Sequence, residues 1–176
     1  MPEIIEGAEE HGGEPWTLPV AVTLAILAVL VAMATLMGHR AATEELLLQT
    51  QASDQWAFFQ AKNIRLHEMQ SMADLLGTLA PVDKEKAALL QEQYAKEVER
   101  YNKEKDEISE KAKDLEQERA QVARREDRYD AAEVVLEIAL IICSLTLLTK
   151  KKFFWFAGIL VGIAGLVVGL SGFFIH

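Results

Sequence analysis

Glu133 and Glu137 are the residues of this 176-residue chain whose type and spacing best suit chemistry. They stand four apart, so on a helix they share one face. Both lie in the run Ala131 to Thr149, which is otherwise uncharged. Glu133 falls at the edge of that run, and Glu137 about one turn deeper, ahead of Ile138-Ala-Leu-Ile-Ile142. A carboxylate in the middle of a bilayer costs about 3 kcal/mol or more. Such a residue either handles an ion or a proton, is hydrogen-bonded to a partner, or sits at the boundary and reaches the headgroup layer. In an oligomer, Glu137 would form an acidic, ion-coordinating ring.

Other chemistry finds little to work with. The N-terminal stretch Glu9-Glu-His-Gly-Gly-Glu14 has one histidine and no paired-histidine spacing, so it reads as a solvated tail and no metal is expected. His39, His67 and His176 are isolated. No phosphate-binding loop, nucleophile elbow, HExxH or CxxC occurs, so neither an enzyme nor a cofactor is expected. The lone cysteine, Cys143, permits no internal disulfide and reads as a small core residue.

The elements that must position these residues are helices. Residues 1–15 form an acidic tail, and 16–38 an uncharged run up to Met37, long enough to cross a ~30 Å hydrocarbon core. The first run lacks a basic leader and exceeds a signal-peptide core, so an uncleaved span is expected. Residues 39–130 carry 15 Lys and Arg against 20 Asp and Glu. Residues 131–149 and 153–176 give two further spans, split by Lys150, Lys151 and Lys152. The turn is short, so the last two spans should pack antiparallel. The chain carries a net charge of −9. That balance argues against nucleic acid, which needs a basic footprint, and against a polybasic lipid-binding surface.

The charged region reads as a long antiparallel helical hairpin, a coiled coil, with its turn near 77–83. Leu48, Ala52, Trp56, Phe59, Leu66, Ala73, Leu76 and Ala80 make a helical stripe that includes Asn63. A polar residue at such a position either sets register or is simply solvated. Trp56, Phe58 and Phe59 are expected at the hydrophobic centre of the hairpin or in a contact between subunits. Asp83, after Pro81, suits the N-cap of the second arm. That arm is heptad: Tyr94, Tyr101, Ile108, Leu115, Val122 and Tyr129 recur every seven residues, with Val98, Lys105, Ala112, Arg119 and Glu126 between them. Neither Gly38 nor the stretch 129–133 need break a helix, so each arm can continue into its span.

Two files of small residues line the spans. Gly158, Gly162, Gly165, Gly169 and Gly172 are spaced four, three, four, three, which keeps all five on one seam. Glycine inside a helix costs about 0.5–1 kcal/mol against alanine. Close approach by another helix is the compensating gain in a bilayer. Ala21, Ala25, Ala28, Ala32 and Thr35 repeat the same spacing in the first span. Either the two files face each other, or each meets its counterpart in a neighbouring copy.

Orientation signals conflict. The short Lys150–Lys152 turn asks to be cytoplasmic, which places the hairpin outside the cytoplasm. Arg40, Arg119, Arg124, Arg125 and Arg128 ask for the reverse. The short loop obeys the positive-inside rule more closely and decides for an extracytoplasmic hairpin.

The stretch Ala52-Ser-Asp-Gln-Trp-Ala-Phe-Phe-Gln-Ala-Lys-Asn-Ile-Arg65 resembles the signature of an uncharacterised bacterial membrane family, domain-of-unknown-function family 4337. Asp54, Gln55, Trp56, Gln60 and Lys62 match it, and the resemblance extends over nearly the whole chain. It implies a multi-pass protein of the bacterial inner membrane, with no activity to carry over. The expectation is therefore a homo-oligomeric structural or scaffolding protein of the lipid bilayer. A channel with its acidic site at Glu137 and an accessory subunit of a larger complex are the alternatives.

Overall fold

The computed structural model describes residues 16–78 and 84–175. The acidic tail, the Pro81-Asp83 turn with Ala80, and His176 lie outside the described residues. Three helices account for almost everything else: α1 (Thr17–Thr78, 62 residues), α2 (Lys84–Thr149, 66 residues) and α3 (Lys152–Gly172, 21 residues). Each contains a stretch long and apolar enough to cross a membrane, by length and composition. Pro19 sits in the first turn of α1, where a missing N–H costs no helical hydrogen bond. Gly38 does not interrupt α1, and α2 passes from Asp130 into its apolar half unbroken.

The chain divides into two compact units. Among the described residues, one comprises 16–42 together with 123–175, and the other falls within Thr43–Val122. The first unit is a three-helix cluster built on Leu27 and Ala34 of α1 and Leu136, Ala139 and Cys143 of α2, with Trp155 and Val161 of α3 packed against it. Large apolar side chains such as Val22, Ile26, Val29, Ile141, Leu160 and Val167 point outward. An apolar exterior of that kind suits lipid rather than water.

In the second unit, every heptad position of α2 from Tyr94 to Arg119, and Val122 beside them, is buried or half-buried. On α1, Leu48, Ala52 and Leu66 are buried, and Trp56, Phe59, Asn63, Ala73 and Leu76 are half-buried. The inward faces are those that the periodicity selects. Polar contacts between α1 and α2 come in reversed order along the two helices: Glu45 with Arg119, Trp56 with Glu116, and Lys62 with Glu104.

α2 and α3 are joined through Lys150 and Lys151. Lys150 adopts φ 57°, in the left-handed region, and its N–H closes the end of α2 on the Thr146 carbonyl at 2.9 Å. A non-glycine residue there is strained by about 1 kcal/mol. Lys150→Gly should therefore raise the unfolding midpoint in detergent by an amount worth about 0.5–1 kcal/mol. A lowered midpoint would mean that the Lys150 side chain contributes more than its backbone costs.

Candidate functional site

The glycine file of α3 lies against α2 of the same chain. A Cβ on Gly158 would stand 2.3 Å from Cys143 Sγ and 3.1 Å from both the Ala139 carbonyl oxygen and the Cys143 nitrogen. On Gly165 it would meet Leu136 Cγ at 2.9 Å and the Leu136 nitrogen at 3.2 Å. On Gly169 it would meet Ala132 Cβ at 3.3 Å, and on Gly172 Tyr129 Cε1 at 3.1 Å. Gly162 faces both partners, with Leu27 Cδ2 of α1 at 2.8 Å and Ala139 Cβ at 3.7 Å. The order of these contacts runs α3 back along α2.

The receiving surface is a small-residue seam on α2. Tyr129, Ala132, Leu136, Ala139, Cys143 and Thr146 are all buried, at alternating spacings of three and four. Ala132, Ala139 and Cys143 present little side chain, so the two backbones close together. In lipid, where apolar residues gain nothing by leaving the solvent, this close packing is what holds helices together. The partner seam has the spacing of the glycines, but Leu136 and Tyr129 interrupt its small residues, so composition alone does not mark it.

The alanine file takes a different place. Ala21, Ala25, Ala28 and Ala32 are all exposed, because the buried face of α1 is Val20, Leu27, Ala34, Gly38 and Ala41. The two small-residue files therefore do not face each other. Thr35, the last of that file, is half-buried and turns toward α2.

That threonine meets one of the two acids. Thr35 Oγ1 lies 2.7 Å from Glu133 Oε1 and 3.0 Å from the Val31 carbonyl. Its single proton can serve one of these acceptors at a time. Glu137 is exposed on α2, alongside Val134, Ile138 and Ile141, which are exposed as well. The two carboxylates share a helix yet have different surroundings. A second polar contact ties α3 to α1: Trp155 Nε1 donates to Thr23 Oγ1 at 3.1 Å, and Thr23 donates to the Pro19 carbonyl at 2.8 Å. Trp155 also packs against the three-helix cluster.

In the Thr43–Val122 unit, the signature stretch makes the polar contacts. Trp56 Nε1 donates to Glu116 Oε1 at 2.8 Å and stacks edge-on against Phe59 at 5.5 Å. The Lys62 ammonium donates to Glu104 and lies 5.0 Å from the Tyr101 ring and 5.5 Å from the Phe58 ring. Phe58 itself is 50% exposed, so it covers the lysine from outside. The hydrogen bond from Lys62 holds the Glu104 carboxyl below its ordinary value, and Lys96 does the same for Glu92. Asp54 and Gln60 are exposed. Spacing could not have paired these side chains, because the pairing depends on the register between distant helices.

Among the described residues no group of three or more His, Cys, Asp or Glu side chains is placed to hold a metal. A family profile described as a domain of unknown function, DUF4337, matches residues 16–175. No curated protein and no solved structure matches the chain.

Proposed function

The chain belongs to the DUF4337 family of domains of unknown function, and on that premise we propose a non-enzymatic, structural or scaffolding role in a membrane. In this reading 16–38, 131–149 and 153–175 cross the bilayer. The charged arms of α1 and α2 form an antiparallel coiled-coil hairpin outside it. Lys150, Lys151 and Lys152, all exposed, mark the cytoplasmic side of a bacterial inner membrane, with the hairpin opposite. The observation that carries the reading is the close α2–α3 seam, where the glycine file sets two of the spans backbone against backbone.

Copies associate, in this account, through the exposed alanine file of α1, since the glycine file is already occupied. Single cysteines at Ala25 and Ala28, in a Cys143→Ala background, should give disulfide-linked dimers in native membranes. A cysteine at Gly162 or Gly165 should give few. Dimers from the glycine positions alone would reverse the assignment.

The exposure of Glu137 favours a second reading, in which an assembly turns these carboxylates toward a pore. Cation conductance in liposomes that disappears with Glu137→Gln would support it; bilayers silent across ions and potentials would remove it.

A further inference from the structure

The three spans leave an open apolar groove of about 100 Å³. Met33 and Met37 of α1 form one rim and Leu170 and Phe173 of α3 the other. The floor is where Gly165 and Gly169 lay α3 on α2. The groove's surroundings, in the reading above, are acyl chains.

Two arginines, Arg40 and Arg128, lie toward one end of the groove, with Glu44, Asp127 and Asp130 on the same segments. Arg40 follows Met33 by seven residues and Met37 by three, so it continues the groove face of α1 by about one turn. Arg128 approaches α3 at that end, its Cβ being 3.4 Å from the place of a Cβ on Gly172, next to Phe173. Both arginines are exposed. Arg125, one turn beyond Tyr129 on the same face of α2, has a buried Nε with no hydrogen-bond partner among the described residues. Asp130, two residues from Arg128, has its carboxylate beside Gly38. Phe173 and Tyr129, edge to face at 6.5 Å, line the groove at that end.

We propose that this groove binds one anionic phospholipid, with an acyl chain along Met33 and Gly169 and the phosphate on Arg40 and Arg128. Arginine is suited to this because its planar fork donates two parallel hydrogen bonds to a phosphate. The whole-chain charge of −9 does not decide it, since a phosphate bound at Arg40 and Arg128 feels charges within about a Debye length. The inference rests on the membrane reading of these helices. Retention of the chain in carbonate-washed membranes tests that reading separately.

The test uses the full chain, delipidated in mild detergent and titrated with palmitoyl-oleoyl phosphatidylglycerol or phosphatidylcholine under native mass spectrometry. One phosphatidylglycerol per chain should bind at least tenfold more tightly than phosphatidylcholine. The double substitution Arg40→Gln/Arg128→Gln should abolish that preference, and Arg40→Lys/Arg128→Lys should keep only part of it, since the charge stays and the fork is lost. Lys111→Gln/Lys113→Gln, in the other unit, should change nothing. Met33→Trp should weaken both lipids by crowding the groove. Equal binding of the two lipids, or an undiminished preference in the glutamine variant, would overturn the proposal. So would a lipid-free dimer, which would show that a second copy fills the groove.

Discussion

Gly158→Ala is expected to destabilise the folded chain by about 1–3 kcal/mol, the range for overpacking a closed contact. The new methyl would stand 2.3 Å from Cys143 Sγ, and two backbone atoms of α2 wait at 3.1 Å. A side chain can turn aside; a backbone carbonyl and amide in mid-helix cannot, so α3 must lift from α2. The intrinsic preference of helices for alanine works the other way, by about 0.5–1 kcal/mol. The contact wins because three atoms are too close at once. The contrast is Gly77→Ala near the end of α1, where the nearest neighbour is a flexible Gln91 nitrogen at 3.7 Å. That change should be neutral or slightly stabilising.

The Gly158 prediction carries its own control. Cys143→Ala removes Sγ and leaves the two backbone contacts. Combined with Gly158→Ala, it should recover part of the loss, not all of it. The non-additivity, read from unfolding midpoints in detergent, should be about 0.5–2 kcal/mol. Simple additivity of the two changes would mean that Gly158 and Cys143 do not touch.

Lys62→Met should loosen the Thr43–Val122 unit by about 1–2 kcal/mol, through the loss of its two aromatic contacts. Its side chain is largely withdrawn from solvent, at 18% exposure. Methionine keeps the length of the stem and removes the charge, so the cost reports the charge rather than the packing. The partner Glu104 predicts the pH dependence. Its carboxyl titrates below its ordinary value because Lys62 donates to it, with burial opposing. The folded unit therefore binds fewer protons than the unfolded one through that range. The contribution is fully present above the ordinary carboxylate value and is lost as pH falls through the depressed one. Wild type should lose helical circular dichroism from the arms on acidification, and Lys62→Met should show a smaller acid-dependent loss. An acid response unchanged by the substitution would separate Glu104 from Lys62.

Much of the architecture was legible because periodicity writes it directly. Tyr101, Ala112 and Val122 fall inward as a seven-residue repeat requires, and the apolar runs fall on three helices. Gly38 was readable as tolerable, since one glycine costs a helix less than its neighbours supply. What the glycine file packs against was less clear. Spacing says that a seam exists, and the helix on the other side follows only from pairing Gly158 with Cys143 and Gly172 with Tyr129. The alanine file shows the limit of composition: it has the same spacing as the glycines, yet Val20, Leu27 and Ala34 compete for the interior and win. The signature residues Trp56 and Lys62 could be found as a motif. Their partners Glu116 and Glu104 lie about 60 and 42 positions away, where local pattern has no reach.

α3 lies on α2 of its own chain along the glycine file. Cysteines at Ala132 and Gly169, in a Cys143→Ala background, probe that contact. The two Cβ positions are 3.3 Å apart, near the roughly 3.8 Å separation across a disulfide. Mild oxidation in native membranes should form the bond within one chain, seen as a linked peptide after proteolysis, with the protein still monomeric on a non-reducing gel. A bond that links two chains, or no bond under conditions that oxidise exposed control pairs, would contradict it.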